Sequence, residues 1–194
     1  MAILISLVAP ETASSRVIIH KKEKFYRVHG KTGAQIYKNI LKSGTKAGNY
    51  THAIASTQVN FELKNLKGHL TSRTCKVDNV DIVVSIIYTY PKWVDRRRAT
   101  PKVRKDWDRF MLYLRKHERH HGQIAINTAK KYERVFKRSR GSVAKNCEDW
   151  SRSVERKIEP LIARYHRQQA QYDRREHGRY GRIRRAQIAL INGK

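Results

Sequence analysis

The chain is 194 residues long and carries 43 lysines and arginines against 16 aspartates and glutamates, a formal net charge of +27 at pH 7. Hydrophobic residues make up 39 %, among them 10 tyrosines, 4 phenylalanines and 3 tryptophans, enough apolar surface for a core and against disorder throughout. No apolar run nears the roughly 20 residues that span a bilayer; two cysteines are too few for a disulfide-rich scaffold or a four-cysteine zinc site.

Residues 1–15 open on the apolar run Met1-Ala2-Ile3-Leu4-Ile5-Ser6-Leu7-Val8-Ala9. They read as a signal remnant or a disordered start, because no basic residue precedes the run as it would in a well-formed secretory signal. Residues 16–181 read as a single domain, with a sheet layer over about 16–93 and a helical layer over about 100–178. Within the first layer, Phe25 to Val28 form a short strand. Thr32 opens a helix, with Gln35 completing a capping box, Ile36, Ile40 and Leu41 on one face, and Gly44 as its stop. Alternation through Ala53, Ala55, Thr57, Val59, Phe61 and Leu63 marks a half-buried strand. Asn65-Leu66-Lys67-Gly68 reads as a turn. A second extended stretch, from about Thr71 to Tyr90 and closed by Pro91, pairs back as an antiparallel hairpin.

From there the period changes from 2 to 3.6. Thr100-Pro101 is an N-cap followed by proline at the first helical position. Trp107, Phe110, Leu114, His117, His121, Ala125, Tyr132 and Phe136 then recur at helical spacing until Ser139–Ser142. A second helical region runs from about Val143 to Glu176, with Trp150, Val154, Ile158, Ile162 and Tyr165 as its stripe and Pro160 expected to kink or split it. Gly178 and Gly181 read as stoppers, and residues 182–194 as a mobile basic tail. The expected fold class is α+β: a small antiparallel sheet with one short helix, followed by a two- to three-helix hairpin.

Charge is unevenly placed: residues 1–90 hold 13 basic and 5 acidic side chains, and residues 91–194 hold 30 and 11. A surface of this kind attracts polyanions, whether nucleic acid or anionic envelope components, and it also serves simply to keep a protein soluble. No helix-turn-helix, RNA-recognition or zinc-finger signature accompanies it.

The motif that carries chemistry is His117-Glu118-Arg119-His120-His121, a His-Glu-x-x-His sequence. On a helix, positions four apart lie one turn above each other, so both imidazoles can face one metal ion. Glu118, beside the first histidine, is placed to take a proton from water without itself binding metal. Both histidines lie on the apolar stripe, which must point inward, whereas His120 lies off it and reads as a surface residue. Glu118-x-x-His121 also fits half of a di-iron pattern, but no second Glu-x-x-His exists.

A hydrolytic zinc takes a third protein ligand. His20, His29, His52 and His69 belong to the sheet layer and read as surface residues. His166, Asp173 and His177 belong to the second helical region, which folds back on the motif helix. His177 ranks first as ligand and His166 second. Asp173 reads as a carboxylate that orients a ligand imidazole, and Tyr172 as a core residue or an oxyanion donor.

These residues resemble, in order, the bacterial family of predicted secreted zinc-dependent proteases, long described as a domain of unknown function. The shared features are Tyr26-Arg27-Val28-His29-Gly30, the strand around Cys75, Tyr90-Pro91-Lys92-Trp93, His117 to His121, Cys147, and Tyr172-Asp173 leading to His177-Gly178. The last motif is one residue shorter than the family's Tyr-Asp-x-x-Thr-x-His-Gly and lacks its threonine, and one helical residue turns a side chain by about 100°. The resemblance implies a zincin-like metallopeptidase with one zinc per chain, secreted or periplasmic, with peptide or protein as substrate. It also implies a Cys75–Cys147 bridge, the alternative being two buried free thiols. A basic polyanion-binding module without catalysis is the other functional expectation.

Overall fold

The structure is a computed structural model that describes residues 15–47, 50–71 and 73–193; the expected signal remnant falls almost wholly outside them. Its elements are β1 (Arg16–Val28), α1 (Gly33–Ser43), β2 (Thr45–Ala47), β3 (Tyr50–Ala53), β4 (Ser56–Leu70) and β5 (Cys75–Trp93). After a single 3-10 turn at Arg96–Arg98 come α2 (Pro101–Ser139), β6 (Val143–Ala144), α3 (Cys147–His177) and α4 (Arg182–Ile191).

The fold is α+β, a small sheet layer covered by long helices. β5 is the central strand, paired antiparallel with β4 and parallel with β1 along their whole lengths. The sheet is therefore mixed, where an entirely antiparallel one was expected. The difference comes from β1, which is 13 residues long instead of four and returns to the sheet through α1 and the small β2–β3 ribbon. Its sequence is mostly exposed, lysine-rich and without an apolar alternation that signals a strand; ladder hydrogen bonds to β5 hold it extended.

β5 is bordered on both sides, and its residues are buried in near-continuous succession from Val80 to Tyr90. It runs through Pro91 to Trp93, whose indole donates to the Gly30 carbonyl at 2.9 Å. The expected turn at Asn65–Gly68 is instead an irregularity within β4: the register slips between Lys64 and Gly68. Asn65 takes the left-handed φ of 52°, which asparagine tolerates, and its amide donates to buried Asp81 at 2.8 Å. Turn-forming chemistry makes a bulge here; the chain reverses only between Leu70 and Cys75, closed by Thr71 N–H to Thr74 carbonyl at 2.8 Å.

α1 carries the expected Thr32–Gln35 capping box and buries Ile36 and Ile40, but leaves Leu41 exposed. α2 starts at Pro101 with Thr100 as its N-cap. At 39 residues it is about 58 Å long and crosses the sheet with Val103, Trp107, Phe110, Leu114, Ala125, Ala129, Tyr132 and Phe136 in the core. α3 runs antiparallel to it, with Trp150 against Phe136 at one end and Asp173 against His117 further along. Pro160 neither ends nor splits α3. It lies on the exposed face, where water can satisfy the carbonyl it leaves unpaired.

The C-terminal residues correct the expectation of a mobile tail. Residues 182–191 form α4, in which Ile183, Ala186 and Leu190 are buried at helical spacing against α2 and α1. Gly33 N–H donates to the Gly193 carbonyl at 3.1 Å, and a Cβ on Gly33 would lie 1.6 Å from the Leu190 carbonyl oxygen. Cys75 and Cys147 form a disulfide with a Cα–Cα distance of 4.8 Å, joining the start of β5 to the start of α3. No described helix is long and apolar enough to cross a membrane.

Candidate metal centre

The two long helices face each other along matched stripes. On α2, His117 and His121 are one turn apart; on α3, Gln169, Asp173 and His177 are each four residues apart, so all three look across at α2. The antiparallel register sets Gln169 against His121, and Asp173 and His177 against His117.

His117 is 4 % exposed and His121 is slightly more open. Their Nε2 atoms stand 3.0 Å apart. Asp173 Oδ1 lies 3.2 Å from His117 Nε2 and 2.9 Å from His121 Nε2. Ligand atoms sharing one tetrahedral ion at 2.0–2.1 Å are about 3.3 Å apart, so these three atoms have the mutual spacing of donors on one ion. Donor atoms of His117, Asp173 and His177 all lie within 4.8 Å of one another. His177, at the C-terminal end of α3 and exposed, has its ring centroid 5.1 Å from that of His117. The residues fit a metal site made of nitrogen and carboxylate donors, the chemistry of zinc and related divalent ions.

The electrostatics agree with such a site. Burial opposes charge on Asp173, but its hydrogen bonds from His117 and His121 outweigh that and hold the carboxyl well below the usual carboxylate range. Burial also works against protonating His121, yet the Asp173 and Gln169 contacts raise it. His177 is lowered, first by the partial desolvation of its ring against the neighbouring helix and then by the nearby His117. The cluster thus holds one firmly ionised carboxylate among three imidazoles.

Two supporting residues were not legible in the sequence. Gln169 Oε1 meets His121 Nδ1, and its Nε2 donates to the His121 carbonyl at 3.2 Å. Together these contacts hold the ring from its Nδ1 side and keep Nε2 turned toward Asp173. Thr57 on β4 directs its hydroxyl to Glu118 Oε2 at 2.6 Å, with the Glu118 carbonyl 3.0 Å away. Glu118 is 5 % exposed; burial raises its carboxyl, the Thr57 hydrogen bond opposes that, and His117 and His121 are near enough to act on its charge. The only advance signal for Thr57 was its alternation in β4. Gln169 had none beyond helical spacing from Asp173. Gly122, which follows the motif, leaves room for Tyr88: a Cβ there would lie 2.1 Å from the tyrosine oxygen.

Of the expected site residues, the structure brings together His117, Glu118, His121, Asp173, Tyr172 and His177. Asp173 departs from its expected role: its Oδ1 reaches both imidazole Nε2 atoms directly, so it sits among the donors and not behind them. Tyr172 stacks on His117 and His120, with centroids 4.9 and 4.0 Å away, and burial pushes its hydroxyl up to about 12. His166, the alternative third ligand, is exposed with its ring against Tyr165, and it is not among the grouped donors His117, Asp173 and His177. His20 and His69 are exposed, His29 pairs with Asp95 at 3.3 Å, and the side chain of His52 lies outside the described residues.

No curated protein matches this chain. No solved structure matches it either. A family pattern described as bacterial protein of unknown function (DUF922) matches residues 23–181, from within β1 to the start of α4 and including every donor described above. The chain belongs to that family.

Proposed function

We propose that the protein is a zinc-dependent peptidase or amide hydrolase. The observation that carries this reading is the convergence of His117 Nε2, His121 Nε2 and Asp173 Oδ1 within 3.2 Å of one another, next to a buried glutamate. His117, His121 and His177 with Asp173 would hold the ion. Zinc there would supply Lewis acidity, polarising a scissile carbonyl and making water easier to deprotonate. Glu118 then has the general-base role: its carboxylate takes a proton from the attacking water and delivers it to the departing nitrogen as the C–N bond breaks. Thr57 fixes the rotamer of that carboxylate, Gln169 holds the ring of His121, and Tyr172 shields one face of His117 from water. The disulfide favours a secreted or periplasmic location, where thiols are oxidised.

Metal analysis of protein purified without added metal should find one zinc per chain. Glu118→Gln should keep that zinc and lose peptide hydrolysis; retention of the wild-type rate would overturn the role of Glu118. His177→Ala should lose zinc and His166→Ala should keep it. The +27 charge supports a second reading, a polyanion-binding module without catalysis. Absence of zinc even after supplementation, with nucleic-acid or envelope binding that falls steeply with salt, would favour it.

A further inference from the structure

Beside the donor cluster lies a pocket of about 430 Å³, with His117 and Tyr172 forming the wall it shares with the metal site. It exists because the third helical segment is interrupted: α3 and α4 together run antiparallel along α2, and the break at 178–181 falls opposite Tyr113–His117. Four cations line the gap: Lys116 from α2, Arg175 from α3, and Arg182 and Arg185 from α4. All four are exposed. Lys116, Arg182 and Arg185 take part in no ion pair among the described residues. Arg175 lies over the Tyr172 ring at 5.1 Å and stands 3.6 Å from Glu176, the one acidic residue of the wall.

Like charges brought together from three helices repel one another, so an anion between them relieves an existing cost. Arginine forks match a carboxylate with two parallel hydrogen bonds. The start of α4 adds to this: it has no acidic residue in its first turn and no side-chain cap, leaving backbone N–H groups for an anion. The shape decides the class of ligand. A polyanion backbone needs an extended basic track, whereas these four charges meet around one half-open recess that touches a metal donor.

We propose that this pocket binds a carboxylate of the substrate, making acidic peptides the preferred substrate class. This rests on the hydrolase reading for the word substrate, but the binding is measurable without turnover. The probes are a blocked alanine-based hexapeptide carrying one glutamate, the same peptide with glutamine, and the glutamine peptide with a free C-terminal carboxylate. Each is titrated by calorimetry at 0.15 M salt (about physiological,) into zinc-supplemented Glu118→Gln protein.

The glutamate peptide should bind at least about tenfold more tightly than its glutamine counterpart. Arg182→Gln with Arg185→Gln should reduce that ratio to about twofold or less. Lys21→Gln with Lys22→Gln, in a second basic recess between β1 and α2, should leave it intact. If only the free C-terminus gains affinity, the pocket holds the terminal carboxylate and the preference for acidic peptides is refuted. Equal affinity for all three peptides, or equal loss in the lysine control, would refute the proposal. So would tighter Arg182- and Arg185-dependent binding of a single-stranded oligonucleotide with no discrimination between the peptides. Discrimination without any hydrolysis by the wild-type chain would uphold the pocket and remove the hydrolase reading. Hydrolysis with equal kcat/KM on both blocked peptides would do the reverse.

Discussion

Replacing Gln169 with alanine isolates the contribution of a residue that touches no proposed substrate. One amide makes both contacts to His121: Oε1 faces Nδ1, and Nε2 donates to the carbonyl of the same residue at 3.2 Å. Without them the imidazole regains its ring rotation, and part of the free energy of metal binding goes into ordering it again. Loss of such a supporting hydrogen bond lowers metal affinity by about 10- to 100-fold, or about 1.4–2.7 kcal/mol. Competition for zinc against a chromophoric chelator, at fixed pH and salt, reads this directly. Gln169→Glu keeps an acceptor opposite Nδ1 and should stay within about threefold of the wild-type affinity. Gln169 is only partly buried, so the zinc-free protein should change in stability by no more than about 1 kcal/mol. Wild-type zinc affinity in Gln169→Ala, with the fold intact, would refute the idea that this amide aims His121.

Thr57→Val removes the hydroxyl from Glu118; since that hydrogen bond lowers the carboxyl against the effect of burial, the acidic limb of kcat should move to higher pH and the plateau fall about tenfold. An unmoved limb would separate Thr57 from the base. Reducing the Cys75–Cys147 bridge, or replacing both cysteines with serine, releases a span of 72 residues and should cost at most about 4 kcal/mol in urea unfolding. Leu190→Ala empties a fully buried position in α4 and should cost about 2–5 kcal/mol; an effect below about 0.5 kcal/mol would mean that α4 is not docked in solution.

Local signals decided a good deal of this protein without help from the fold. Thr32 with Gln35 and Thr100 with Pro101 start helices through bonds between residues three apart, and so they are visible in a four-residue window. The i, i+4 spacing of His117 and His121 fixes their shared direction by helix geometry alone. Glu118 follows from the same few residues. Each of these depends on neighbours in sequence.

What the sequence left open depends on neighbours in space. β1 is extended because β5 offers it a parallel edge, and Asn65 bulges instead of turning because Asp81, 16 residues on, accepts its amide. α4 is ordered because Gly33 and Leu190 meet across most of the chain. Asp173 reads as a supporting residue along α3 and becomes a donor only when α2 is set against it in one particular register. Thr57 and Gln169 acquire their roles the same way, from strands and helices 61 and 48 residues away. Periodicity fixes which face a side chain occupies, but not what stands opposite; packing of the two layers decides that, and with it the composition of the centre.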